Sequence, residues 1–232
     1  HTVFFGGAGV STESGIPDFR SSQGLYHQSF PIPAEEVLSR TFFEAHPAEF
    51  YSFYRKHLLY PNAQPNGAHI ALARLEKAGH LDAVITQNID GLHQKAGSRT
   101  VYELHGSCLR NHCMNCAHFY DLTFLCQTDG IPRCPKCGGI VKPDVVLYEE
   151  PLDQTVLENA CRAIAAADLL IVGGTSLRVY PAASLLQYFH GNAIAILNRD
   201  ATRADEQATL VCRDSIAAVL TEAADQVLVS DS

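Results

Sequence analysis

Two Cys-x-x-Cys pairs, Cys113 with Cys116 and Cys134 with Cys137, are separated by 17 residues. That spacing lets four thiolates converge on one tetrahedral ion, and zinc is the ion expected. Four thiolates leave no open coordination position. The metal is therefore expected to be structural, holding together a module too small to have a core of its own. Two redox-active pairs are the alternative. His112 and His118 stand close by, but with four cysteines at hand they read as polar surface residues. Cys108, Cys126, Cys161 and Cys212 are scattered singly, which suits a reducing compartment rather than a disulfide framework.

A second group of residues suggests a nucleotide. An apolar run, Val3-Phe4-Phe5, enters Gly7-Ala8-Gly9, as a buried strand enters a turn that lets backbone approach a pyrophosphate. Thr12 stands where the usual fingerprint has its third glycine, so the G-x-G alone also fits a plain strand-turn-helix junction. The residues after the turn are unusual: Ser11, Ser14, Gly15, Pro17, Asp18, Phe19 and Arg20 form a polar, turn-rich stretch in place of an apolar-faced helix.

Further polar groups fall at the ends of other apolar runs. Thr86-Gln87-Asn88-Ile89-Asp90-Gly91-Leu92-His93 offers amides and an acid for ribose hydroxyls or a carboxamide, though a capped turn has the same spelling. Glu103-Leu104-His105-Gly106 places His105 at a strand end, where an imidazole can act as general base near neutral pH. It is one of eleven histidines, most of which must be surface or core residues. Gly174, Thr175 and Ser176 follow another run, and Asn198 another.

The elements that must hold these groups alternate. Strands are predicted at 2–5, 83–87, 101–104, 169–172, 193–197 and 210–212, and helices at 66–78, 152–167, 182–189 and 214–227. Alternation of this kind predicts an α/β fold, a parallel sheet with helices on both faces. Gly79 is placed to cap the first of these helices, and Asp153 and Asp214 to cap or charge the starts of two others. Residues 18 to about 65, with a helix near 47–60, and residues 108 to about 144 interrupt the pattern. Both read as insertions that pack together as a smaller domain.

At 232 residues the chain can bury one sizeable core and a satellite. A formal charge of −8 disfavours nucleic acid or an anionic membrane as partner and suits basic, lysine-bearing peptides. No apolar run reaches the roughly 20 residues of a membrane span. No signal peptide is recognisable, and because the chain opens at His1 directly on a strand, a preceding segment is expected.

Taken in order, these segments resemble the sirtuin family of NAD-dependent protein deacylases, of bacterial type. The resemblance rests on GAGVSTESGIPDFR at 7–20, TQNIDGLH at 86–93, ELHG at 103–106 and the four cysteines. VKPDVVLYEE at 141–150, GGTSLRVYPAASL at 173–185 and LN at 197–198 complete it, so it covers essentially the whole chain. It implies a Rossmann-like NAD-binding domain (1–20, 66–107 and 145–232). A small domain would combine a cofactor loop and helical insertion (21–65) with the zinc module (108–144). NAD and an acyl-lysine peptide would meet between the two.

The implied reaction is transfer of an acyl group, acetyl first, from lysine to ADP-ribose. The acyl oxygen attacks C1′ of the nicotinamide ribose, nicotinamide leaves, and O-acetyl-ADP-ribose forms. By resemblance His105 is the base that activates a ribose hydroxyl, and Asn88 orders that ribose and a water. Ile89 and Asp90 form the pocket for the carboxamide, and Gln87 is a further cofactor contact. Phe19 shields the reacting centre, and Arg20 helps hold the phosphate and ribose end. Gly7, Ala8, Gly9, Ser11, Gly174, Thr175, Ser176 and Asn198 hold ADP-ribose, with Cys212 near the adenine through its backbone. The peptide would add as a strand between Val146, Tyr148 and Glu149 on one side and Leu177 and Val179 on the other.

Some positions depart from the family pattern. Tyr26 stands where Gly-Leu-Trp is common, and Tyr148-Glu149-Glu150 where Phe-Gly-Glu is common. The extra acid, Glu149, is expected to favour basic sequences around the target lysine. The desuccinylating branch reads a carboxylate with Tyr-x-x-Arg. The equivalent here is Tyr51-x-x-Tyr54, with Arg55 turned about 100° away on a helix. Little activity on succinyl- or malonyl-lysine is expected. ADP-ribosylation of protein, a dehydrogenase and a zinc-ribbon adaptor are the rival readings. A cytoplasmic monomer without membrane or direct nucleic-acid partners is expected.

Overall fold

The computed structural model describes residues 1–22 and 24–230. In chain order the strands are β1 (Thr2–Gly6), β2 (Ala83–Thr86), β3 (Val101–Glu103), β4 (Gly106–Cys113), β5 (Phe119–Tyr120), β6 (Val141–Val145), β7 (Leu169–Gly173), β8 (Ala193–Leu197) and β9 (Leu210–Cys212). The α-helices are α1 (Ala34–Val37), α2 (Arg40–Ala45), α3 (Pro47–His57), α4 (Gly67–Ala78), α5 (Leu92–Ala96), α6 (Leu122–Gln127), α7 (Gln154–Ala166) and α8 (Ile216–Ser230).

Six strands form one all-parallel sheet in the order β3-β2-β1-β7-β8-β9. Alternate side chains of β1 serve opposite faces. Phe4 joins Val84, Ala68, Leu72 and Leu220 beneath α4 and α8, while Val3 and Phe5 join Ile85, Ile164 and Leu170 beneath α7. Both faces are covered, and the central strands read as continuous apolar runs for that reason.

Local chemistry fixes the helix ends. Asn66 caps α4, accepting from the Ala68 N–H at 2.9 Å, and Gly79 ends it at φ 85°. Asp153 caps α7 through the Val156 N–H at 2.9 Å. Asp214 does not cap α8: the Ser215 hydroxyl takes the Ala218 N–H at 3.1 Å, and the Asp214 carboxylate accepts from the Cys212 thiol. Residues 182–188 form a 3-10 helix where an α-helix was expected. It starts directly after Pro181, and the Ser184 hydroxyl bonds back to the Pro181 carbonyl at 2.6 Å, in competition with a regular ladder.

The two interrupting stretches share a third hydrophobic cluster, in which Phe43, Phe50, Tyr51 and Tyr54 meet Leu125, Val141 and Leu147. Within it β5-β4-β6 form an antiparallel sheet that the sequence did not announce. Its strands are short, with a register shift between Ser107 and Asn111, and the cysteine turns interrupt any period-two pattern.

Candidate active site

All six strands of the parallel sheet point the same way, so their carboxyl ends share one rim. The chain runs from β1 outward through β2 and β3, then returns to β7 on the other side of β1. The crevice between β1 and β7 is therefore the switch point at which open α/β sheets bind ligands. Gly7-Ala8-Gly9 and Gly174 lie there. The Gly9 N–H donates to the Gly174 carbonyl at 2.8 Å, and a Cβ on Gly9 would come within 2.7 Å of the Gly174 Cα. Gly174 has φ 61°, and a Cβ on it would overlap the Val10 amide. The glycines are thus needed to interleave two strand-end loops, which leaves a bare backbone ledge suited to a pyrophosphate.

Beside the ledge runs a buried polar network. The Ser11 hydroxyl donates to Asp90 Oδ2 at 2.7 Å and accepts from Asn88 Nδ2 at 3.1 Å. Asp90 Oδ1 takes the Leu92 N–H at 2.9 Å, at the start of α5. His69 Nδ1 accepts the Asn66 N–H at 3.2 Å, so its proton sits on Nε2, 3.5 Å from Ser11 Oγ. Asn66 also donates to the Val10 carbonyl and the Ser14 hydroxyl, which anchors the stretch after β1 on α4. On the other side, Gln87 Nε2 donates to Thr175 Oγ1 at 2.9 Å, and Thr175 and Asn198 exchange two hydrogen bonds. The Asn198 N–H reaches the Cys212 carbonyl at 3.2 Å, which puts Cys212 at the far end of the same rim. Ser176 is exposed just beyond Thr175.

His105 faces this network from the end of β3. Its Nδ1 lies 3.0 Å from the Gln87 carbonyl, an oxygen that can only accept, so Nδ1 carries the proton and Nε2 keeps its lone pair. Burial lowers its pKa, with the Gln87 hydrogen bond opposing. The ring is therefore a neutral base at physiological pH. Gly106 holds the turn at φ 73°, where a side chain would overlap the Asp144 carbonyl. The Val146 N–H donates to the His105 carbonyl at 3.0 Å, so the expected peptide-binding segment begins beside the base. Leu177 (φ 53°) and Val179 follow β7, the Leu177 N–H bonded to Thr175 Oγ1.

Phe19 and Arg20 lie against Tyr26, and Ile89 packs on the third cluster while its carbonyl accepts the Cys108 N–H. One carboxylate oxygen of Glu149, Oε2, accepts from the Thr41 N–H at 2.9 Å and the Thr41 hydroxyl at 2.6 Å at the start of α2. Tyr51 and Tyr54 are both fully buried, and the Tyr51 hydroxyl donates to the Val141 carbonyl at 2.6 Å. They are core residues between α3 and the cysteine module.

The sulfurs of Cys113, Cys116, Cys134 and Cys137 lie within 4.8 Å of one another. A tetrahedron with Zn–S near 2.3 Å needs sulfurs about 3.8 Å apart, and Cys116 and Cys134 stand at 3.7 Å. Burial would raise the Cys134 thiol. The Tyr120 hydroxyl and the N–H groups of Lys136 and Cys137 nonetheless bring it down to about 6, whereas at Cys137 the Gly139 N–H is outweighed by the neighbouring sulfurs, which push that thiol up to about 12. The donor set fits zinc, and no ligand position is left open.

A model of the Sir2 family matches residues 7–181. The chain belongs to the Sir2 family. An NAD-dependent protein deacetylase of Clostridium perfringens is 58% identical over 226 residues, covering 96% of this chain and 93% of the relative. One from Staphylococcus aureus is 44% identical, covering 94% and 90%. Among solved family structures, a Sir2 homologue in complex with NAD superposes at TM-score 0.90 with 38% identity, covering 100% of this chain and 90% of that one. A Sir2 variant with a deacetylated p53 peptide and 3′-O-acetyl-ADP-ribose superposes at 0.87 with 39% identity, covering 99% and 92%.

His69 and Asn66 escaped the sequence reading. Their signal was a histidine three residues into a helix whose cap is an asparagine, a pattern that also reads as ordinary helix capping.

Proposed function

We infer that the chain works as its family does: it is an NAD-dependent protein deacetylase with a structural zinc. The observation that carries this is His105, neutral, with Nδ1–H held by Gln87 and Nε2 open, on the same rim as the Gly7–Gly9–Gly174 ledge. NAD, when bound, supplies an electrophilic ribose carbon and nicotinamide as leaving group.

The chain's own residues then divide the work. The backbone of Gly7, Ala8, Gly9 and Gly174 receives the phosphates, and Thr175, Ser176, Asn198 and the Cys212 backbone hold the adenosine end. Ser11 keeps Asp90 and Asn88 in register: Asp90, with Gln87 and Ile89, faces the carboxamide, and Asn88 orders the ribose. Phe19 excludes water from the reacting centre, and Arg20 fixes the flap that carries it. His105 Nε2 takes the proton of a ribose hydroxyl, which then accepts the acetyl group. Because burial lowers the His105 pKa, the acid limb of kcat/KM should fall below the ordinary histidine value of 6.5, with a plateau above it.

An acyl-lysine peptide enters as a strand between Val146, Tyr148 and Glu149 and the segment Leu177 to Val179. The fold divides into the sheet domain (1–20, 66–107, 145–232) and a small domain (21–65 with 108–144), which meet at this cleft. Tyr51 and Tyr54 support the acyl pocket from the core. Arg55 is committed elsewhere: its guanidinium donates to the Leu125 and Gly130 carbonyls, at 3.0 and 2.6 Å. It supplies no fork for a succinyl carboxylate. Among the described residues no helix is long and apolar enough to cross a membrane. A cytoplasmic monomer acting on proteins, without direct contact to nucleic acid, fits these features.

The test is a panel of acetyl-, longer neutral acyl-, succinyl- and malonyl-lysine peptides with NAD, with all products quantified by mass spectrometry. Acetyl peptides should yield deacylated peptide, nicotinamide and O-acetyl-ADP-ribose in equal amounts. Succinyl peptides should turn over at least about tenfold less efficiently, as expected when a charged group lacks its partner. ADP-ribosylated peptide, or NADH, as the product would overturn the assignment.

A further inference from the structure

One contact joins two segments that lie far apart in the chain. Tyr26, in the flap after β1, and Tyr148, in the segment after β6, place their hydroxyls 2.6 Å apart. Both positions are among those at which the chain departs from the resemblance drawn above, and each supplies a hydroxyl.

Backbone hydrogen bonds anchor each tyrosine on its own segment, and Arg20 touches both. On the flap, the Tyr26 N–H donates to the Phe19 carbonyl and the Leu25 N–H to the Asp18 carbonyl, both at 2.8 Å. The Phe19 ring packs on Tyr26 at 5.3 Å, and the Arg20 guanidinium lies over the Tyr26 ring at 4.9 Å and reaches the Tyr148 hydroxyl at 3.4 Å. Glu35 holds Arg20 from behind at 3.7 Å. On the other segment, the Tyr148 N–H donates to the Leu38 carbonyl and its own carbonyl accepts the Arg40 N–H, both at 3.0 Å. Glu149, tied to Thr41, fixes the next residue. The hydroxyl pair is therefore a bridge between two braced pieces.

We propose that Tyr26 and Tyr148 are a positioning pair that couples docking of the acyl-lysine peptide to the order of the flap carrying Phe19 and Arg20. This inference rests on the deacetylase reading of the site. A peptide strand laid along 146–149 restricts the Tyr148 ring, which holds Tyr26 and, through it, Phe19 and Arg20. By linkage, an ordered flap raises peptide affinity by the same factor. Burial, then the hydrogen bond to Tyr148, raises the Tyr26 pKa, so the phenol keeps its proton throughout the neutral range.

Hydrogen exchange of the 18–30 segment in the full chain tests the pair, for wild type, Tyr26→Phe, Tyr148→Phe and the double variant. A neutral hydrogen bond of ordinary strength predicts that each single change speeds flap exchange about three- to tenfold, and that the double is no faster than the faster single. An acetyl-lysine peptide should slow flap exchange in wild type and slow it less in Tyr26→Phe. In turnover, both single variants should raise KM for NAD and for peptide together. Unchanged flap exchange in Tyr148→Phe, or effects that multiply in the double variant, would overturn the coupling. Coupling in a wild-type chain that consumes no NAD with acetyl peptide would support the pair and sink the deacetylase reading. Full deacetylation with no flap response to Tyr148→Phe would do the reverse.

Discussion

The rim of the parallel sheet and the cysteine module reach their geometry by opposite routes. At the rim, Ser11 and Asp90 meet across 79 residues and Thr175 and Asn198 across 23, brought together because parallel strands end on one edge. Each contact is a modest hydrogen bond supported by a large core on both faces of the sheet. The cysteine module has only short strands, and its four ligands fall within one 25-residue stretch, with Cys113 and Cys137 separated by 24 positions. There a bound metal would pin the cysteine turns, while the module's apolar side chains pack on α2 and α3 in the third cluster. A site assembled by topology should therefore lose its function piece by piece, whereas a site assembled by a metal should fail all at once.

The largest expected effect comes from that contrast. Cys134→Ser, or removal of zinc by a strong chelator, should abolish activity and unfold β4–β6 and α6. Structural zinc contributes on the order of 10 kcal/mol to modules of this kind. Hydrogen exchange should show the six-stranded sheet still protected, with the loss confined to 106–145. Equal loss of protection across both regions would break the distinction.

A middle-sized effect probes the rim's support. His93, on α5, is 1% exposed, its ring packs 4.7 Å from His69, and neither ring nitrogen has a hydrogen-bond partner among the described residues. Burial, then the neighbouring His69, lowers its pKa to about 3. Its contribution is fully present above the unfolded value of 6.5 and is lost as pH falls from there toward 3, because only the unfolded chain takes up the proton. At pH 5 this linkage amounts to about 2 kcal/mol. Urea melts of wild type and His93→Gln at pH 7 and pH 5 should show the shallower pH dependence in the variant. Parallel pH dependences would remove His93 from the account.

The smallest effect separates two neighbours in the third cluster. Tyr51→Phe should cost about 1 kcal/mol, since it leaves the Val141 carbonyl without its donor. Tyr54→Phe should be neutral or slightly stabilising, because the Tyr54 hydroxyl is buried without a partner among the described residues. Chemical denaturation of the two variants reads the difference. Equal costs would mean that both tyrosines are held by packing alone.

How much of the molecule was legible in the sequence divides along the same contrast. The zinc ligands could be read from spacing, because a knuckle is a local object. The six strands of the sheet were placed to within a residue or two, because buried strands are short apolar runs. Gly7 and Gly9 were recognised as glycines that had to be glycines. Their reason, interleaving with Gly174, was not visible, since it depends on β1 lying next to β7. His69 and the Thr175–Asn198 pair were hidden or incomplete for the same cause. The contact between Glu149 and Thr41 was hidden too, because nothing local shows that α2 begins within reach of the carboxylate. The Tyr26–Tyr148 contact spans 122 positions and has no local signature at all.

His105→Ala gives the most direct test of the account, measured as exchange of labelled nicotinamide into NAD beside O-acetyl-ADP-ribose formation, both with acetyl-lysine peptide. His105 is assigned to the step after nicotinamide leaves. The variant should therefore bind NAD and retain peptide-dependent exchange, while acetyl transfer falls by about 10²–10⁴-fold. Acetyl transfer at the wild-type rate, or loss of exchange and NAD binding together, would contradict the role given to His105.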